Sequence, residues 1–291
     1  MKRIIALFIV VYFFQVHFCF ALPWKELHEK ADKQTLAEAL EFSQKKPDSI
    51  EGLYTLGLIY LNLHKDKDAK DVFNKIISLG PETIEARWGL AEVLRREHDI
   101  SQSEKIVNEV IKSEPDFSPA YITLAYSKHI QMKFNEAVRL VSKVINQGQD
   151  KVDLSNYVRA NLLMGGTKGM IAHYGGPISK LVNGTVVLGY LKKAQSLQPD
   201  SPVVAFGLGS FYLLAPTLAG GDLDKAEAYL NKAINIDPLF CDAYVRLAQL
   251  YKLKGDEEKY KIYLNKALEI DPKSELAIDI KEGKCKFVCN R

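Results

Sequence analysis

A spacing of 34 residues, as between Pro81 and Pro115, constrains this chain more than any other feature. Between Ile50 and Thr83 one pattern is marked out by Leu53, Leu56, Gly57, Tyr60, Ala69, Phe73 and Pro81. Moved forward by one period, the same slots hold Arg87, Leu90, Ala91, Leu94, Ser103, Val107 and Pro115, and this second copy ends at Phe117. A fixed period of this size comes from stacked supersecondary units, none of which buries its apolar faces alone. Gly57 and Ala69 are small, which suits two antiparallel helices that cross closely. Leu56, Tyr60 and Phe73 fill the space toward the next unit. Pro81 ends the second helix, because its ring disfavours helical dihedrals in the residue before it.

Counting on from these two units divides the rest of the chain. Ser118 to Lys151 is a third copy, with Tyr121, Leu124, Ala125, Ala137, Val141 and Val144 in register, so three regular units fill 50–151. The fourth unit, 152–199, breaks the period. It reads as a helix from Val152 to Met164 and a partner over roughly Thr185 to Gln198, separated by an insertion at 165–180. The Gly pairs at 165–166 and 175–176, and Pro177, predict a loop at both ends of that insertion. Its apolar middle, Met170 to Tyr174, predicts folding back onto a neighbour, which would bury Tyr126 or Phe206 if it enters a groove. The fifth unit, 200–240, carries a second insertion at 215–222, with Asp222 as the N-cap of the helix that follows. The sixth, 241–274, is regular, and Cys241 opens it as a small apolar residue. A partial repeat at 22–49 covers the exposed end of the first unit, and 275–291 is a capping helix and polar tail.

The pattern resembles the tetratricopeptide repeat. That resemblance implies an all-α fold: a right-handed α-solenoid of about six helix hairpins with two insertions. It also implies a binding scaffold rather than an enzyme, with protein or peptide partners held on a concave face lined by the first helix of each unit. Carried onto this sequence, the family's groove slots fall on Tyr54, Leu58 and Leu61, then Trp88, Glu92 and Arg95 with Arg96 beside it, then Ile122, Tyr126 and His129. Later units contribute Phe206, Ser210 and Leu213, then Val245, Gln249 and Lys252. The Lys and Asn that clamp a C-terminal carboxylate in some family members are absent from these slots. The turn Gly220-Gly221-Asp222 is similar to an element in periplasmic repeat proteins that accompany TRAP-type transporters. This second resemblance implies an alternative role, in which the chain handles an apolar small molecule beside a membrane transporter component.

The N-terminus predicts export. Lys2 and Arg3 precede an apolar run from Ile4 to Phe14, and Cys19-Phe20-Ala21 places small residues where a signal peptidase reads. Residues 1–21 therefore read as a signal peptide, with an uncleaved membrane anchor as the alternative. The formal net charge of +3 falls to +1 without Lys2 and Arg3 (3 − 2), and no clustered basic face suggests nucleic acid. No cofactor or metal is expected, since His28, His64, His98, His129 and His173 show no ligand spacing. Cys285 and Cys289 read either as a tail disulfide or as two free thiols. The oligomeric state is left open.

Overall fold

The structure, a computed structural model, describes residues 22–287, so the expected signal peptide and Cys289 lie outside the described residues. All regular structure there is helical. Two short helices come first, α1 (Trp24–Ala31) and α2 (Leu36–Lys45). Six hairpins follow, each packed against the next. They are α3–α4 (Ile50–Asn62, Asp66–Leu79), α5–α6 (Ile84–Arg96, Ile100–Ser113) and α7–α8 (Ser118–Ile130, Phe134–Gln147). The fourth joins α9 (Leu154–Tyr174) to α11 (Val187–Leu197), with α10 (Pro177–Ser179) and one π turn (Lys180–Gly184) between them. The fifth and sixth are α12–α13 (Pro202–Leu214, Leu223–Ile236) and α14–α15 (Cys241–Leu253, Glu257–Ile270), and α16 (Glu275–Glu282) closes the array.

Local chemistry sets the breaks between helices. Thr35 and Glu38 form a reciprocal capping box at the start of α2. Ser49, Asp99, Asp153, Asp256 and Ser274 cap later helices by accepting an N–H of the first turn. Asp222 caps α13, accepting from the N–H groups of Asp224 and Lys225, as its position predicts. Within the first three hairpins the connecting turn places a residue in the left-handed region: His64 (φ 56°), His98 (φ 68°) and Met132 (φ 63°). These positions are one period apart. Gly255 takes the same conformation in the sixth hairpin (φ 77°), where the absence of Cβ removes a cost of about 1–2 kcal/mol that the other three bear.

Packing explains the small residues of the repeat. A Cβ on Gly57 would meet the Phe73 ring at 2.6 Å, and one on Gly89, in the next unit, would meet the same ring at 2.5 Å. Phe73 is fully buried and is wedged between α3 and α5. Gly57 is thus small to admit an aromatic ring, not only to let two backbones approach. First helices touch one another in succession (α3 with α5, α5 with α7, α7 with α9, α9 with α12, α12 with α14), whereas second helices do not to a comparable extent. The first helices therefore line the inside of the curve.

The fourth hairpin corrects an expectation. Residues 165–174 are helix, continuous with α9, not loop. Gly165 is accommodated there because its missing Cβ leaves Leu191 of α11 room, at 3.1 Å from where that atom would stand. Only from Gly175 does the chain leave the helix.

Two long-range contacts join the first hairpins to the last. The His64 ring bonds Asp237 at 2.8 Å. The His98 ring bonds Glu275 at 2.9 Å and Asp271 at 3.0 Å. Burial alone would lower the His98 pKa, but the hydrogen bonds and charges of Glu275 and Asp271 outweigh it and hold it above its ordinary value. This contact is fully favourable below the ordinary histidine pKa and is lost as pH rises through the raised one.

Candidate functional site

The concave face holds most of the residues that the repeat pattern points to, and most are covered. Tyr54 is 0% and Trp88 3% exposed, and Leu58, Leu61, Ile122, Val245 and Gln249 are buried with them. Over Tyr54 and Trp88 the cover is the chain's own N-terminal helix, whereas the 165–180 insertion reaches His129 through Thr167 and packs Met170 against the C-terminal Phe287. Helix α1 lies on the inside of the curve, against α3 and α9. Trp24 packs edge-on to Phe117 at 5.4 Å between ring centroids, and His28 lies 5.3 Å from Trp88 and 5.8 Å from Tyr54. At the other end, Phe287 is buried beside Met170, Ile130 and Phe134, and its carbonyl accepts from the Arg246 guanidinium at 3.2 Å.

Polar groups fix α1 in place. His28 Nε2 pairs with the Tyr54 hydroxyl at 2.9 Å, and its Nδ1 with Asn156 at 3.2 Å. Asn156 in turn bonds Asp153, the cap of α9. Burial holds the His28 pKa down at about 3, so the docked ring is neutral. The same burial pushes Asp153 up. At the rim, Lys25 donates to the Asp150 carbonyl, and Asn62 donates to Asp32. A cavity of about 20 Å³ remains, lined by His28, Leu61, Trp88, Glu92, Arg96 and Asn156. That is room for a water molecule, not for an organic ligand.

Beneath α1 runs a second network. The Trp88 indole donates to Thr123 Oγ1 at 3.0 Å, and Thr123 donates to Glu92 at 2.9 Å. Glu92 also accepts two bonds from Arg95, at 2.7 and 3.0 Å, and one from Arg96 at 3.4 Å. Burial alone would raise the Glu92 carboxyl, but Arg95, Arg96 and Arg159 outweigh it and hold it well below the usual carboxylate range. The Arg95 guanidinium lies over the Tyr126 ring at 4.3 Å. The structure thus brings Trp88, Arg95, Arg96 and Tyr126 together. His129 is separate from them, bonded to Thr167, and burial with the nearby Arg246 charge lowers its pKa to about 4. Phe206 is half-buried against Phe240, and Lys252 is exposed over Tyr260. Sequence reasoning missed Trp24, His28, Thr123 and Phe287. The spacing of Trp24, Leu27, His28 and Ala31 is the signal that could have found the first two, since it is a helical stripe with no partner in its own partial repeat.

No group of three or more His, Cys, Asp or Glu side chains placed to hold a metal occurs among the described residues. No helix there is long and apolar enough to cross a membrane. Cys241 is a free thiol, pushed up to about 12 by burial. Cys285 is disulfide-bonded.

A family model described as tetratricopeptide repeat matches residues 50–83, 218–238 and 242–274. No curated protein matches the chain. Among solved structures, the chain is similar to the Cut9–Hcn1 hetero-tetramer of the APC/C (TM-score 0.54, 16% identity), covering 88% of itself and 47% of that chain. It is also similar to a tetratricopeptide repeat protein from Parabacteroides merdae (TM-score 0.52, 15% identity, 89% and 97% covered). A third is a monomeric mutant of IFIT1 with Gppp-AAAA (TM-score 0.56, 15% identity, 87% and 64% covered). The chain spans about half the length of the first of these. At such identities the likeness establishes the solenoid fold.

Proposed function

The chain is a tetratricopeptide repeat protein, and from that premise we propose that it is an exported scaffold whose concave face takes a helical segment of a partner protein. Repeats of this family form protein-interaction scaffolds and are generally non-enzymatic. One observation carries the finer reading: α1 is itself such a segment, seated through Trp24 and His28 on Tyr54, Trp88 and Phe117. A groove that holds an aromatic helix of its own chain has the chemistry to hold a similar helix from another, once α1 leaves. The partner this predicts is a short amphipathic helix with an aromatic anchor and a hydrogen-bonding side chain one turn later.

A labelled peptide with the sequence of Leu22–Lys33 tests it, added to the full chain carrying Trp24→Ala. The expected result is micromolar binding to the variant, at least ten-fold tighter than to the wild type, whose own α1 competes. Failure of the peptide to bind the variant overturns the reading.

Export is supported by Lys2, Arg3 and the apolar run that follows them, by the disulfide at Cys285, and by one buried carboxylate. Glu85 is 2% exposed and accepts the Leu22 N–H at 3.0 Å. Among the described residues no Lys, Arg or His forms an ion pair with it. Cleavage after Ala21 would turn the Leu22 N–H into an ammonium group and supply the missing cation. Intact mass of the exported chain is expected to start at Leu22; a start at Met1 or at any other residue removes this argument. The alternative role beside a transporter rests on the two insertions and the Gly220-Gly221-Asp222 turn, and the cavity left beside His28 and Trp88 has room only for a water molecule.

A further inference from the structure

The period break in the fourth hairpin makes a surface that the groove does not use. Ile178 is 80%, Leu181 69% and Val182 60% exposed, and Val186 and Tyr174 stand exposed beside them in the chain. These side chains come from α10, the π turn and their flanks, so they form one raised edge between α9 and α11. Together they expose apolar surface on the order of a few hundred Å², about the size at which an exposed patch on a single chain marks an interaction site. Nothing in the packing of the hairpin requires it: Val187 and Leu191, further along, already bury the α9–α11 contact.

The charge around this edge identifies what it suits. Residues 154–199 contain no Asp or Glu, although the chain as a whole has 36 of them. The same stretch holds Arg159, Lys168, Lys180, Lys192 and Lys193. Lys180, Lys192 and Lys193 are exposed. Lys168 places its ammonium on Asn183 of the edge itself, at 3.0 Å. Among the described residues, carboxylates border the edge only on its Tyr174 side: Glu136, in the open cleft beneath Tyr174 and Ser179 with Lys133 beside it, and Asp279, whose charge reaches Tyr174. The next turn exposes Leu218 but carries Asp222 and Asp224, so it lies outside this cationic region. A water-exposed apolar ridge carried by a lysine-bearing stretch that has no acidic residue of its own is the arrangement of an interfacial membrane contact: apolar side chains enter the acyl boundary while lysines meet anionic headgroups.

We propose that the edge formed by Ile178, Leu181 and Val182 is a peripheral membrane-binding element that docks the protein on an anionic lipid bilayer. The reading is independent of what fills the groove, which faces the inside of the curve.

Sedimentation of the full chain with phosphatidylglycerol–phosphatidylcholine vesicles tests it, beside pure phosphatidylcholine vesicles. Binding is expected to the anionic vesicles and to weaken with added salt. The exposed triple variant Ile178→Asn, Leu181→Asn, Val182→Asn is expected to lose at least ten-fold of the bound fraction. Lys180→Glu with Lys192→Glu and Lys193→Glu is expected to abolish the preference for anionic lipid. Val182→Trp, read with brominated lipids, is expected to be quenched. Equal binding by wild type and triple variant assigns binding to other residues and overturns the proposal. So does no binding by either, or a dimer that the triple variant breaks without any lipid dependence.

Discussion

Glu92→Ala is expected to destabilise the protein by about 3–5 kcal/mol, because it strands Arg95 without its carboxylate in a largely buried position. Glu92 is where three side-chain partners converge: Arg95 by two bonds, Arg96 by one and Thr123 by one. Arg95 cannot shed its proton, and the Tyr126 face it lies over offers far less than an ion pair. Arg96 suffers less, since it also donates to the Leu61 carbonyl and to Asp66. Removing both charges with Glu92→Leu and Arg95→Leu should recover much of the loss, as a buried pair exchanged for apolar groups is often nearly neutral. Denaturant unfolding of the three proteins checks this. A loss below about 1 kcal/mol in Glu92→Ala would show that the pair is solvated and not buried.

The second large effect is acid release of α1. Docked His28 is held neutral, with a pKa of about 3 against an ordinary 6.5. A group whose folded pKa is lowered contributes stability that is present above its unfolded pKa and lost as pH falls. From about pH 6.5 down, docking should weaken by about 1.4 kcal/mol per pH unit. The window extends toward pH 3. Charges facing the ring modulate the slope: Asp32 favours the protonated ring, Arg159 disfavours it, and Asp153 lies 4.0 Å away. Asp153 works the other way, since burial raises its own pKa and its protonation eases the site at low pH. Hydrogen exchange should show Trp24–Ala31 losing protection between pH 7 and 5 while α6 does not. His28→Gln, which keeps a partner for Tyr54 but does not titrate, should flatten the profile. Unchanged α1 protection in the wild type down to pH 5 would refute the assignment.

The repeat was legible because its period is written in residue size. A small residue recurs in the Gly57 slot (Ala91, Ala125) and an apolar one in the Phe73 slot (Val107, Val141), and the structure places the Phe73 ring against Gly57 and Gly89. The extension of α9 was not legible, because Gly165 and Gly166 read locally as breakers. The helix nonetheless runs on through them, with Gly165 packed against Leu191 and Val187 of α11, a contact that no local window contains. The candidate groove was legible as a set of residues and not as a surface. Tyr54, Trp88 and Tyr126 lie on first helices as their slots require, yet what covers Tyr54 and Trp88 comes from the helix of Trp24 and His28, more than twenty residues before the first full repeat begins. A slot count along the repeats says which side chains face inward. It says nothing of what arrives from outside the period.

The contacts of His64 with Asp237 and of His98 with Asp271 and Glu275 change how such an array must melt and form. A linear stack can fray from either end, one repeat at a time, because each repeat is held only by its neighbours. Here the first and second hairpins are held by residues 173 to 177 positions away in the chain. Neither terminus is then a free edge, and opening one end exposes the other. The chain gives up the local, fast assembly of a solenoid for a closure that waits on distant partners. During synthesis, the early hairpins emerge with His64 and His98 unmatched, and they stay so until Asp237, Asp271 and Glu275 have been made.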